Sequence, residues 1–340
     1  MDTYSIDKIR QIAIGTCGCY DYDYFRGVYE VQGCEDYITA NGRRYPVVII
    51  GDGVLPILQE EWIGFGQVKE FQFHNGIKRI ADNAFSDTAF EKTHMELPES
   101  LLEIGNEAFL GSKMKKIVIP RNVIHIGENA FPLDMEIECL SPYLDRKDGN
   151  SFTCKTYHVE SIPLEFRITD PINKEVSATC FTGKDYEGFV FPDVVNIGGD
   201  DYLVTAIDSD FGDMWGKFVL PPHLRKIGNN IEIYDGIFSL PETLKYIGES
   251  VIHSSLPLHL PQGLRFIANE LECSQFVNHS PCIDLDRNCV LDEYGKVLYY
   301  FGRSYQDGHI DELVIYDELG EGFEEFDYRE YCKLLDSSTF

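Results

Sequence analysis

No apolar run in this 340-residue sequence approaches the roughly 18 residues that a membrane-spanning helix needs. The best is PVVII at 46–50, so no membrane span is expected. Basic residues are scarce as well: 29 Lys and Arg face 57 Asp and Glu, a formal net charge of -28. Such a balance repels phosphate backbones and anionic headgroups, so nucleic acid is not expected as a partner and a basic or neutral one is. The sequence also lacks the usual catalytic signatures. It has no His-Glu-x-x-His, no Gly-x-Ser-x-Gly, no Gly-x-x-x-x-Gly-Lys and no Gly-x-Gly-x-x-Gly after a strand. Nothing names a nucleophile or a base, so the chain is read as a non-enzyme with no cofactor and no metal.

Clustered cysteines are missing too. Ten are scattered along the chain, and only Cys17 and Cys19 stand within three residues of each other. With no Cys-x-x-Cys to complete four ligands, the expectation is reduced thiols serving as small apolar side chains. The N-terminus places Lys8 and Arg10 before a short apolar stretch ending near Cys17, which superficially resembles a leader with a lipid-modified cysteine. The stretch is shorter than a usual apolar core, Asp2 and Asp7 precede it, and Thr16 is a poor cleavage neighbour. No export signal is therefore read, and the cytoplasm is the default location.

What the chain does have is self-similarity, on 44% hydrophobic content. LPPHLRKIG at 220, LPETLKYIG at 240 and LPQGLRFIA at 260 return proline, leucine and isoleucine every 20 residues. LPESLLEIG at 97 and IPRNVIHIG at 119 carry the same skeleton 22 apart, FHNGIKRIA at 73 keeps it without the proline, and IYDELGEGF at 315 is a degenerate last copy. The early copies add Ala84-Phe85, Ala108-Phe109 and Ala130-Phe131, one aromatic per repeat at a fixed place. Repetition at this period predicts a solenoid. In Ile117-Val118-Ile119 the first and third side chains point inward from a short strand, and the proline that follows ends it because it donates no ladder hydrogen bond. One such strand cannot bury its apolar face; stacked parallel, each coil adds to a continuous core, with the Leu and Ile after the proline forming further columns.

IGNEAFLGSKMKKIVIPRNVIHIGENAF, residues 104–131, resembles the BspA-like class of leucine-rich repeats, a family of bacterial surface proteins. Residues 166–208 resemble the β-rich segment that often precedes such repeats, residues 137–159 the segment that closes them, and residues 288–301 a hairpin often inserted between them. The resemblance implies a β-rich solenoid of leucine-rich-repeat type, conventionally classed α/β. It would carry a parallel β-sheet on one face, short turns and irregular or 3-10 segments on the other, and antiparallel strands opening each array. It also implies a cell-surface or secreted location. The 220–280 copies depart from the pattern: Asn230-Ile231, Ser250-Val251 and Glu270-Leu271 stand where Ala-Phe pairs would fall, predicting a tighter, irregular convex side.

GRRYPVVIIGDGV at 42 matches GDDYLVTAIDSDF at 199, an offset of 157, which predicts two tandem modules, 1–160 and 161–340. Residues 307–340 hold eleven acidic residues against Arg329 and Lys333 and read as a solvated end cap. Asp284, Asp286 and Asn288 have the first spacings of a calcium loop, but Cys289 stands where the Gly belongs and Gly295 where the Glu belongs. The same stretch reads better as a hairpin with its turn at Glu293 to Gly295. Asn278-His279-Ser280 is a bare sequon spacing, and His125 is read as an outward side chain of the repeat.

Taking the residue before each proline as inward, the outward positions form the candidate binding face. They are Glu70, Gln72, His94, Glu96, Lys116 and Val118 in the first module, and Lys217, Val219, Ile237, Ser239 and His259 in the second. Phe218 and Phe238 fall inward, and TCGCYDYDYFRGVYE at 16–30 offers a tyrosine-rich alternative patch. The function expected is a protein-interaction or adhesion-type module with a protein or glycan partner. The rivals are a hydrolytic or metal-dependent enzyme at the module junction and a structural spacer.

Overall fold

The computed structural model describes residues 4–7, 12–15, 19–23, 28–32, 36–40, 42–51, 67–68, 73–87, 94–208, 211, 213–248, 251–268, 271–273, 275–292, 295 and 297–300. The chain divides into two compact units, Met1–Lys155 and Thr156–Phe340. Among the described residues there is no helix, and each unit is a β-solenoid whose coils contribute strands to parallel sheets.

In the first unit the strand Arg43–Ile50 pairs antiparallel with Tyr37–Ala40 and parallel with Ile12–Gly15, which is itself antiparallel to Tyr4–Asp7. From its end a ladder of two-residue strands continues in register, Arg79–Ile80, Glu103–Ile104 and His125–Ile126, so Ile50, Ile80, Ile104 and Ile126 stand in one buried column. A second parallel sheet runs through His94–Glu96, Lys116–Ile119 and Glu136–Cys139. Met95, Ile117 and Ile137 align in it and are buried, and the Lys116–Ile119 strand alternates as its sequence requires, with Ile117 and Ile119 inward. The proline-to-isoleucine stretch adds Leu101 and Val123 to the core.

Between the sheets the Ala-Phe pairs build an aromatic ladder. Phe85 and Phe109 stack with centroids 5.2 Å apart, and Phe109 and Phe131 follow at 5.7 Å. The ladder ends where Phe152, from the closing hairpin Leu144–Arg146/Phe152–Cys154, presents its edge to Phe131 at 6.5 Å and 78°. Offset stacks and edge contacts are the two arrangements the ring quadrupole favours. The turn before each Phe passes through one left-handed residue per coil, Asn83, Glu107 and Asn129. It leaves no room at the preceding glycine, since a Cβ on Gly105 would lie 2.5 Å from the Asp82 amide nitrogen and one on Gly127 2.5 Å from that of Asn106. Asn106 in turn donates from its backbone N–H and its side-chain amide to the Asp82 carboxylate, and Glu128 N–H donates to the Asn106 side chain. The Ile-Gly of the repeat is thus a packing demand of the coil beneath it.

The second unit repeats this plan. Leu164–Asp170 and Glu175–Phe181 are antiparallel, Glu175–Phe181 runs parallel to Asp200–Ile207, and Asp200–Ile207 is antiparallel to Val194–Ile197. The ladder then continues through Lys226–Ile227, Tyr246–Ile247 and Phe266–Ile267. Asp200–Ile207 is the counterpart of Arg43–Ile50. The convex side expected to be irregular is instead strand: Glu232–Ile237 and Val251–Ser254 lie in one parallel sheet with Phe189–Val190, Met214–Val219 and Glu272–Cys273. A 20-residue coil has no length left for an Ala-Phe turn, so the chain goes almost directly from the isoleucine into extended backbone. Ile231 and Leu271 fill the inward position with aliphatic bulk, and Phe218 and Phe238 stack at 5.1 Å. Leu258–Leu260 pairs parallel with Phe276–Asn278.

Both units close alike. Ser141-Pro142 and Ser280-Pro281 take the place of the apolar-Pro step. Each serine hydroxyl donates to a carbonyl of the coil beneath, Val123 or Leu264, and accepts the N–H of the second residue on, Tyr143 or Cys282. An antiparallel hairpin follows in each case, Leu144–Arg146/Phe152–Cys154 or Ile283–Asp284/Cys289–Leu291, and the latter pairs onward with Val297–Tyr300.

Candidate binding face

In the first unit, strand register decides which positions are neighbours. His94, Lys116 and Glu136 align, and so do Glu96, Val118 and Glu138. Lys116 Nζ lies 3.2 Å from Glu136 and 3.5 Å from Glu138. The hydrogen bond to Glu136, then the two carboxylate charges, raise the Lys116 pKa above its ordinary value. At this exposure the pair orients the ammonium more than it stabilises the fold. A shallow cavity of about 350 Å³ opens on this face, lined by Met95, Glu96, Leu97, Glu99, Lys116, Ile117, Val118, Pro120 and Leu140. It combines an apolar surface with charges of both signs. Glu70 and Gln72 lie outside the described residues, and His94 is described only in its backbone.

In the second unit Lys217, Val219, Ile237, Ser239 and His259 are all exposed, while Phe218 and Phe238 are buried. Lys217 aligns with Ile237, Val219 with Val190, and the His259 ring stacks on that of His279 at 5.8 Å. The face also carries two aromatics absent from the expected set, Trp215, 48% exposed, and Tyr234, 46% exposed, paired in register on adjacent strands. Trp215 is held edge-on against Tyr186 at 5.5 Å, and burial raises the Tyr186 pKa above the usual phenol range. Tyr234 donates its hydroxyl to Glu232, which raises its pKa.

Trp215 was within reach of the sequence, because counting back by twos from inward Phe218 puts it outward. Tyr234 was not. Counting back from Phe238 turns it inward, but the span Trp215 to Lys217 faces the longer span Tyr234 to Ile237. That extra residue is a β-bulge, with Asp235 left-handed at φ 50°, and it reverses the parity of everything before it.

The calcium-like stretch is a turn. Asp284 accepts from the N–H groups of Asp286 and Arg287, and its other oxygen lies 2.7 Å from Arg287 Nε. These contacts, with the Arg287 hydrogen bond foremost, lower its pKa. Among the described residues no three His, Cys, Asp or Glu side chains gather as metal ligands. Asn278 Nδ2 donates to the Ile283 carbonyl and its Oδ1 accepts Ser280 N–H, so the sequon amide is engaged in the closing segment. The acidic stretch 307–340 and the copy at 315 lie outside the described residues.

Residues 57–184 match the BspA type Leucine rich repeat region in six copies. The later coils, 220–268, lie beyond that match, consistent with their missing Ala-Phe pairs. No curated protein is significantly similar to the chain. Solved structures to which it is similar include a leucine rich cell surface protein from Faecalibacterium prausnitzii, 14% identical over 81% of this chain and 94% of that one, TM-score 0.19. A leucine-rich repeat protein from Bacteroides ovatus is 17% identical over 77% and 67%, TM-score 0.23. The pneumococcal vaccine antigen PcpA is 15% identical over 78% and 88%, TM-score 0.22. The chain's own columns and strand register carry the solenoid fold, and residues 57–184 are the stretch that carries BspA-type leucine-rich repeats.

Proposed function

We propose that the chain is a non-enzymatic protein-binding module that works through the outward faces of its parallel sheets. The observation that carries this is the second unit's face, where Trp215 and Tyr234 stand exposed beside Val219 and Ile237 on adjacent strands. Large exposed aromatics are the residue types that dominate binding energy at interfaces. The first unit's Glu96, Lys116 and Val118, around the cavity described above, form a second, mixed-charge contact. The BspA-type repeats favour the cell-surface setting that the family resemblance implies, and fractionation of the native host with an antibody tests that location.

The experiment for the face compares proteins retained from host extract by the wild type, by W215A/Y234A, by E96A/K116A/H259A, and by D148A in the exposed turn of the first closing hairpin. Support is a partner kept by the wild type and D148A and lost with a face variant. Identical retention by all four chains, or none by the wild type, overturns the proposal, and the latter favours a spacer.

A further inference from the structure

We infer that Cys154 and His125 form a reactive thiol–imidazole pair, a site for mixed-disulfide formation with a small disulfide. His125 Nδ1 lies 3.4 Å from Cys154 Sγ, across 29 residues of sequence. This is hydrogen-bond reach for sulfur, the arrangement in which an imidazole accepts a thiol proton. Both side chains are half-buried, and so within reach of a small reagent. Cys154 also packs against the edge of the first unit's core, whose fully buried bulk here comes from Ile126 and Phe152.

The pair stands at the end of a polar column built by the two-residue strands. Arg79, Glu103 and His125 are neighbours in register, and Cys154 reaches the last of them from the closing hairpin. Glu103 is 1% exposed and Arg79 6%, with Arg79 Nη1 3.5 Å from Glu103 Oε2 and Nη2 3.7 Å from Asp82. A buried carboxylate one strand from His125 favours the imidazolium, and the Arg79 cation beyond it offsets part of that field. On the hairpin side, Lys155 is engaged by Asp145 at 3.6 Å and the Pro142 carbonyl, and Arg146 by the carbonyls of Gly149 and Ile137 and by Asn150.

The chemistry balances without any further oxidant. The Cys154 proton passes to His125 Nδ1, and the thiolate attacks one sulfur of the small disulfide. A bond from Cys154 Sγ to that sulfur forms as the reagent's own S–S bond breaks. The departing thiolate takes the electron pair and then the proton from the imidazolium.

The chain supplies its own comparators. Cys180 is exposed, whereas Cys282 and Cys289 have thiols whose pKa values burial pushes up. The test is site-resolved mass spectrometry of the native full-length chain, timed after addition of dithiodipyridine and, separately, oxidised glutathione, from pH 5 to 9. The rate midpoint for Cys154 is expected at least about one pH unit below that of Cys180. If the midpoint falls two units lower, Cys154 carries up to about 100-fold more thiolate at acidic pH. Its weaker nucleophilicity removes about eightfold of that, so it reacts about tenfold faster. H125Q moves the Cys154 midpoint up to that of Cys180 and leaves Cys180 unchanged. Equal midpoints in the wild type, or no labelling of Cys154 before the chain unfolds, overturn the inference even if H125Q fails to fold.

Discussion

Phe109 sits mid-ladder, fully buried between Phe85 and Phe131 at 5.2 and 5.7 Å. Replacing it with alanine removes a ring from a site that cannot collapse. The coils on either side are tied at fixed separation by Phe85 N–H to the Ala108 carbonyl at 2.7 Å and Phe109 N–H to the Ala130 carbonyl at 2.8 Å. Phe-to-Ala changes in cores cost about 3–5 kcal/mol, the cost rising with the cavity left behind, so F109A belongs near the upper end, at about 5 kcal/mol. For a unit of this size that is a fall in Tm of roughly 10–20 °C. F109L, which keeps most of the volume, should cost less than about 2 kcal/mol. Because stacked rings share partners, F85A/F109A should fall short of the sum of the single changes by about 0.5–3 kcal/mol. Urea unfolding followed by circular dichroism is measured on the wild type, F85A, F109A, F109L and F85A/F109A. A cost for F109A below about 2 kcal/mol, or strict additivity in the double variant, would refute the ladder as a source of stability.

Four further outcomes are expected. G105A should destabilise more than an ordinary surface change, since its Cβ meets the Asp82 backbone at 2.5 Å, and thermal melting reads this directly. S141A leaves the buried Val123 carbonyl without its donor and should cost about 1–3 kcal/mol by urea titration. R79M strips the guanidinium from the buried Glu103 carboxylate and should cost about 3 kcal/mol, part of which R79M/E103Q recovers. His74 is held below its ordinary pKa mainly by burial, against the opposing pull of Asp36 at 3.5 Å, and its Nδ1 accepts the Gly76 N–H. The unfolded chain therefore binds a proton that the folded chain refuses, so stability falls as pH drops below about 6.5. In H74Q that contribution to the slope disappears.

The inward columns were legible because repetition reports packing: proline, leucine and isoleucine return at fixed intervals, and Leu224, Leu244 and Leu264 are each fully buried. The outward set followed by alternation from the residue before each proline, and Lys217, Val219, Ile237, Ser239 and His259 are exposed. Three features were beyond that logic. The ladder strands Arg79–Ile80, Glu103–Ile104 and His125–Ile126 are two residues long, too short for any period to register. The bulge at Asp235 reversed a parity that counting assumes constant, hiding Tyr234. His125, read as an ordinary outward residue, meets Cys154 only because the closing hairpin folds back on the last coil, a contact that no spacing motif encodes.

On the proposed function, packing and binding fall to alternate residues of the same strand, and that segregation is tested most directly on Lys116–Ile119. Single alanine changes at the four positions should split cleanly when stability and partner retention are measured on each chain. I117A and I119A should cost about 2–5 kcal/mol. K116A and V118A should stay within about 1 kcal/mol of wild type and alone weaken retention of the captured partner. Comparable destabilisation at all four positions, or loss of retention only where stability is lost, would contradict the account.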